Sequence, residues 1–247
     1  MRHIVKNGRA VVAALTVLAS AGAMSACDKV RTSLLEAEDP DIIDPSSVQS
    51  ANGANAVRLG ALNRLRLMTV GSGNAGSEGT WLIGGLLGDE WSTSSTFVQN
   101  DEADERAISQ GNSSVEGSLR AIYRVPTAAN QAIGLLKTYR PTPAADIAEM
   151  YFARGFAQLQ LASDFCNGIP LSDASGDVVQ LGSPLPINDI YNVAIASFDT
   201  AMQMTGGTSN AEVAINRAAR IGRARALIGL NQQAQAAALV TGIPTTF

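Results

Sequence analysis

Apolar residues recur at helical spacing along most of the chain. One stripe is clean: Tyr191, Ala194, Ile195, Phe198, Ala201 and Met202, three and four residues apart, as on one face of an α-helix. It predicts a helix capped near Asn188 and ended by Gly206-Gly207. A longer segment, 145–171, carries two stripes. One is Ile147, Tyr151, Leu161 and Phe165; the other is Phe152, Phe156, Leu159 and Cys166. Apolar groups on two sides predict a helix packed between neighbours, with Phe156 in the core. Thr142 supplies a capping hydroxyl and Pro143 suits the first helical position. Asn167-Gly168, with Pro170 just beyond, predicts the stop. Cys166, on the second stripe, reads as a small buried hydrophobe.

The same periodicity places the other elements. Ser46 or Ser47 caps a first long helix to about Val70, with Leu59, Leu62, Leu65 and Leu67 on its apolar side. Gly71 to Gly76 is a loop. A short apolar helix covers Trp81 to Leu87, ended by Gly88, and a polar stretch follows from Asp89. Asn100 to Glu105 is an acidic loop or helix start. Ser113 or Ser114 opens a helix to about Tyr139, which Pro126 kinks or starts anew. Val178 to Leu181 reads as a lone short strand. Asn210 starts a helix to about Leu230, and Gln232 to Val240 forms a shorter one.

The N-terminus has a different logic. Arg2, Lys6 and Arg9 precede an apolar run, Ala10 to Met24, and Met24-Ser25-Ala26-Cys27 closes it. The run is too short and too rich in small residues for a membrane span, and small residues before a cysteine form a lipobox. Residues 1–26 are thus expected to be a lipoprotein signal peptide and Cys27 the lipidated residue. Residues 27–45, with Glu36, Glu38, Asp39, Asp41 and Asp44 interspersed with Pro40 and Pro45, read as an acidic tether. Residues 46–247 form the helical domain.

Charge and composition narrow the function. The full chain has 18 basic and 22 acidic residues. Losing Arg2, Lys6 and Arg9 with the signal leaves 15 basic residues and a net charge of −7. No basic face for phosphate neutralisation is expected, so nucleic acid is not an expected partner. The single histidine is His3, inside the signal. The mature chain therefore offers no histidine base, triad or histidine metal ligand. No phosphate-cradling Gly-x-x-x-x-Gly-Lys loop is present. Asp89 and Glu90 are adjacent, so their carboxylates diverge, whereas glycoside hydrolysis needs two converging on one bond. No enzyme activity, cofactor or metal is expected.

Several separated segments resemble one family. Ala153, Arg154, Phe156 and Leu161, followed by Phe165, Gly168, Pro170 and Leu171, are similar to the core helix and its exit in the SusD/RagB family of nutrient-uptake lipoproteins; Cys166-Asn167 is an insertion there. Leu119 to Arg124 with Ala129 to Ile133, and Ile190, Tyr191, Ala194, Ile195, Phe198, Asp199 and Ala201, resemble two further family helices. The acidic run 39–45 resembles the segment after the family's lipid anchor. The helix pairs at about 147–204 and 211–240 resemble tetratricopeptide units, in which small residues let helices approach closely.

The resemblance implies a mostly α fold of tetratricopeptide-like helix pairs, with at most minor β structure in loops. Family members are about twice as long, which implies a chain incomplete at its C-terminus. It further implies a lipid-anchored, surface-exposed protein of the outer membrane that binds glycan or peptide and partners a TonB-dependent, SusC-like transporter. The other reading is an envelope scaffold with a solenoid for protein contacts. For ligand, Trp81 and Trp91 bracket a turn, with Asp89 and Asn100 near them in sequence; family tryptophans in this region stack on sugars. Trp81, inside an apolar helix, reads as core, and Trp91 as the exposed platform.

Overall fold

Side chains cap three of the helices among the described residues. The computed structural model describes residues 48–72, 79–94, 96–176 and 178–246. Cys27, the signal and tether at 1–45, Ser46, Ser47 and most of the Gly71–Gly76 loop lie outside the described residues. Ser50 caps α1 (Ala51–Val70), its hydroxyl accepting from the Gly53 amide at 3.0 Å. Helices α2 (Thr80–Leu87) and α3 (Val98–Asp104) are short. Asn112 caps α4 (Ser113–Tyr139) through the Val115 amide at 2.9 Å. Then come α5 (Ala144–Asp164), β1 (Ile169–Pro170), β2 (Pro184–Leu185), α6 (Ile187–Gln203), α7 (Asn210–Gly229) and α8 (Gln233–Val240). A capping box, Ser209 with Glu212, opens α7. Among the described residues the fold is mostly α, with one small antiparallel sheet pairing Ile169 with Leu185 and Pro170 with Pro184.

Helix α5 is central. It packs against α1, α4, α6 and α7, and both its flanks are buried, as its double stripe requires. One core, at its C-terminal end, gathers Ile122, Leu159, Leu161, Ile190 and Phe198. A second, toward its N-terminal end, gathers Ala61, Ile133, Leu136, Ile147 and Met150 from α1, α4 and α5. Small residues set the spacing. Phe198 on α6 is fully buried, and its ring lies against Gly155 of α5 and Gly222 of α7. A Cβ at Gly222 would stand 2.5 Å from that ring. Close backbone approach is thus what lets a large ring fill the junction of three helices.

Two polar clusters tie helices to each other and to a loop. Arg58 pairs with Glu149 and with Asp146 (3.3 Å), and Arg140 pairs with Asp146 at 2.8 Å, joining α1, the end of α4 and the start of α5. Arg154, half-buried on α5, donates to Ser197 Oγ at 3.1 Å and Asn130 Oδ1 at 3.0 Å. Its guanidinium also lies 4.7 Å from the Tyr151 ring centroid. Asn130 in turn donates to Asp173 Oδ2 at 3.0 Å, so the chain of contacts reaches the 171–182 loop. That loop closes by two backbone bonds between Asp173 and Gln180.

Several expectations are corrected. The cap of α1 is Ser50. The start of α5 has Pro143 at the capping position, after a cis Thr142–Pro143 bond, and α6 starts from Pro186 rather than near Asn188. The end of α5 is Asp164, with Phe165 extended, because the chain turns there toward the sheet. Cys166 is therefore past the helix, off the stripe and exposed. Gly168 does adopt a left-handed φ of 96°, but before β1 rather than as a helix end. Phe156 is only part-buried, with Arg225 over its ring at 5.7 Å. Residues 178–181 form no strand beyond the single Asp173–Gln180 bridge, and their side chains are exposed. Pro126 sits within one continuous α4.

Candidate functional site

The candidate site is built on α2 and the turn after it. The Gly88 amide donates to the Gly84 carbonyl at 2.9 Å, and Asp89 follows with φ of 57°. This left-handed step turns the chain back, so that the Glu90 and Trp91 amides both donate to the Gly85 carbonyl, at 2.9 and 3.2 Å. The Trp91 ring then lies on Gly85, where a Cβ would come within 2.9 Å of Cε3. Trp81 is one helical turn before Gly85, and residues four apart share a helix face. The two tryptophans thus flank the same side of α2. Trp81 is 55% exposed and Trp91 49%.

A second layer of contacts fixes the turn. Asp89 Oδ2 pairs with Arg106 Nη2 at 2.5 Å. The Arg106 hydrogen bond and charge hold the Asp89 carboxyl below the usual carboxylate range. The Thr93 amide donates to Asp104 Oδ2 at 2.9 Å. Glu102 accepts from Asn112 Nδ2 at 2.8 Å and from the Ser109 amide and hydroxyl, and these bonds lower its pKa. Phe97, Val98 and Ile108 are exposed on and beside α3.

The structure holds Asp89 and Trp91 in one turn, leaves Trp81 exposed one helical turn before Gly85, and buries Asn100. Of the two readings for Asn100 to Glu105, loop or helix start, the helix holds, and Asn100 is buried in the first turn of α3 rather than exposed to a ligand. Trp81 reverses the expectation of a core residue. In α2 it is Thr80, Ile83 and Leu86 that face inward, while Gly85 is buried under the Trp91 ring. In a helix of only eight residues, periodicity does not say which apolar face is inside. Sequence reading also missed Arg106, whose partner lies across a loop. Chemically, the flank offers two half-exposed indole faces beside a carboxylate–guanidinium pair. Indoles stack on apolar ring faces, and the ion pair carries both acceptors and donors. Among the described residues no group of three or more His, Cys, Asp or Glu is placed to hold a metal ion. No helix among them is long and apolar enough to cross a membrane.

Comparison with known proteins bears on the fold. No protein-family model matches the chain, and no curated protein matches its sequence. A solved structure does: that of a SusD-like carbohydrate binding protein from Bacteroides vulgatus ATCC 8482, with a TM-score of 0.56 at 16% identity. The match covers 77% of this chain and 44% of that one, so this chain spans less than half of its structural neighbour. The chain has a SusD-like fold.

Proposed function

We propose that this chain is a cell-surface lipoprotein, anchored through Cys27 in the outer membrane, that binds glycan and passes it to a TonB-dependent, SusC-like transporter. The observation that carries the reading is a SusD-like fold bearing two half-exposed tryptophans on one flank of α2. The structural neighbour's carbohydrate binding supports glycan as ligand, and the lipobox supports the anchor. The role is binding rather than catalysis, since the flank presents stacking faces and one closed ion pair. An open flank leaves much of a ligand in water, whereas good pockets bury roughly 70–90% of it. Affinity of this chain is therefore expected in the millimolar range, about −4 kcal/mol.

Isothermal titration against a glycan panel tests this. Trp91→Ala and Trp81→Ala, both at exposed positions, should each weaken binding by roughly tenfold, about 1.4 kcal/mol, with the fold intact by circular dichroism. Glycan binding unchanged in both variants would overturn the placement.

A further inference from the structure

We infer that the Asp89–Arg106 ion pair is a clasp that holds Trp91 in place as a ligand platform, which makes Arg106 a positioning residue; its role in glycan binding rests on the function proposed above. Helices α2 and α3 end in the same way. At the end of α2 the Asp89 amide donates to the Leu86 carbonyl at 3.3 Å, and the Glu90 amide to the Gly85 carbonyl at 2.9 Å. At the end of α3 the Arg106 amide donates to the Ala103 carbonyl at 3.2 Å, and the Ala107 amide to the Glu102 carbonyl at 2.9 Å. Both are Schellman endings, in which the turning residue is left-handed and is usually glycine, sometimes asparagine. Here the turning residues are Asp89, at φ 57°, and Arg106, at φ 56°. They are paired with each other. Asn231, which follows α7 at φ 60°, is of the usual type.

Stability does not account for this choice of residues. Left-handed backbone is strained for an arginine, and glycine would relieve it. An exposed ion pair contributes little against that strain. What the pair does is geometric: it ties the end of α2 to the end of α3. A second tie runs beside it. Asp104 Oδ2 accepts from the Thr93 amide at 2.9 Å and from the Thr93 hydroxyl at 3.3 Å. Segments 89–93 and 104–106 are thus joined at both ends, and Trp91 is midway between the two ties in sequence. The clasp has a firm base, because Glu102 of α3 accepts from Asn112, the buried cap of α4. A platform held still before the ligand arrives loses less order on binding, which is what strained, cross-linked turning residues beside Trp91 provide.

The decisive variant is Arg106→Gly, which removes the pair and the strain together. Its circular dichroism melt should be unchanged or higher, since glycine suits the left-handed position. Titration with maltohexaose and cellohexaose should nevertheless show binding weakened roughly two- to fivefold, the scale of one exposed ion pair. In a Trp91→Ala background Arg106→Gly should change affinity no further, because the pair acts through that ring. A third arm uses no glycan. Trp81 and Trp91 are the two tryptophans of the chain, so Trp81→Phe leaves Trp91 as the sole indole. Quenching of its fluorescence by acrylamide should rise with Arg106→Gly and stay near the starting value with Arg106→Lys, which keeps the cation. Quenching unchanged by Arg106→Gly would overturn the inference. So would a loss of affinity that adds to that of Trp91→Ala, which would make Arg106 a ligand contact. If neither oligosaccharide binds the wild type, that counts against the glycan reading alone, and the quenching decides the clasp.

Discussion

Replacing Gly222 by alanine isolates the steric basis of the three-helix junction. The new Cβ would stand 2.5 Å from Cε1 and Cζ of Phe198. The ring has little room to retreat. It is fully buried, its Cε1 would lie 3.0 Å from a Cβ at Gly155, and the Phe152 ring is 6.1 Å away between centroids. Overpacking of this kind costs about 1–3 kcal/mol. Opposing it, alanine is preferred over glycine inside a helix by about 1 kcal/mol. The internal control is Gly134→Ala on α4, an exposed helical glycine with nothing within 4 Å of its Cβ. That variant has only the favourable part and should gain about 0.5–1 kcal/mol. Urea unfolding followed at 222 nm should therefore place Gly222→Ala about 1–3 kcal/mol below Gly134→Ala, or roughly 2–12 °C lower in melting temperature for a chain of this size. Two variants within 0.5 kcal/mol of each other, the usual spread of surface changes, would refute the claim that close approach at Gly222 is required.

Arg154→Met keeps the length of the side chain but removes the donors to Ser197 and Asn130. It should cost about 1–3 kcal/mol for each group left unsatisfied, and limited proteolysis should cut the 171–182 loop faster. Asp173 gives a pH signature. Burial raises its pKa, but hydrogen bonds from Ser175 and Asn130 and the charge on Arg154 outweigh this, and the net value is below the usual 3.8. The folded chain thus binds this proton less tightly than the unfolded chain. Its contribution to stability is present above about pH 4 and is lost as pH falls through the lowered value. Asp173→Asn should flatten that acid limb in melts between pH 2 and 5. At the N-terminus, metabolic labelling with a fatty acid should tag the wild type and fail with Cys27→Ser; equal labelling would remove Cys27 as the anchor.

The long helices were legible because amphipathic periodicity over fifteen or more residues leaves one face to bury. The double stripe of 145–165 announced a helix with neighbours on both sides, and α5 has them. Helix ends were harder. Ser46, Ser47 and Ser50 are equivalent as letters, and only the backbone path selects Ser50. At Cys166 the periodicity ran past the true end, because the turn toward β1 depends on Asn167, whose Oδ1 accepts from the distant Ile187 amide at 2.7 Å. For the candidate site, Trp91 and Asp89 were legible as a polar-flanked turn. The outward face of Trp81 and the Asp89–Arg106 pair were not. The first depends on which side of a short helix meets the body, and the second joins residues across α3.

Among the described residues, alanine makes up half of the buried apolar ones, from Ala54 on α1 to Ala236 on α8. An alanine has no rotamers to lose on burial, so ordering such a core forfeits little side-chain entropy beyond that of the backbone. It also has no alternative rotamer with which to relieve a displaced neighbour. A core of this kind does not absorb strain by repacking. When a loop or groove at its surface is engaged, its helices shift as stiff rods or do not shift at all. In this chain the larger buried side chains away from the Phe198 junction, such as Met68 and Met150, are the places where any give resides.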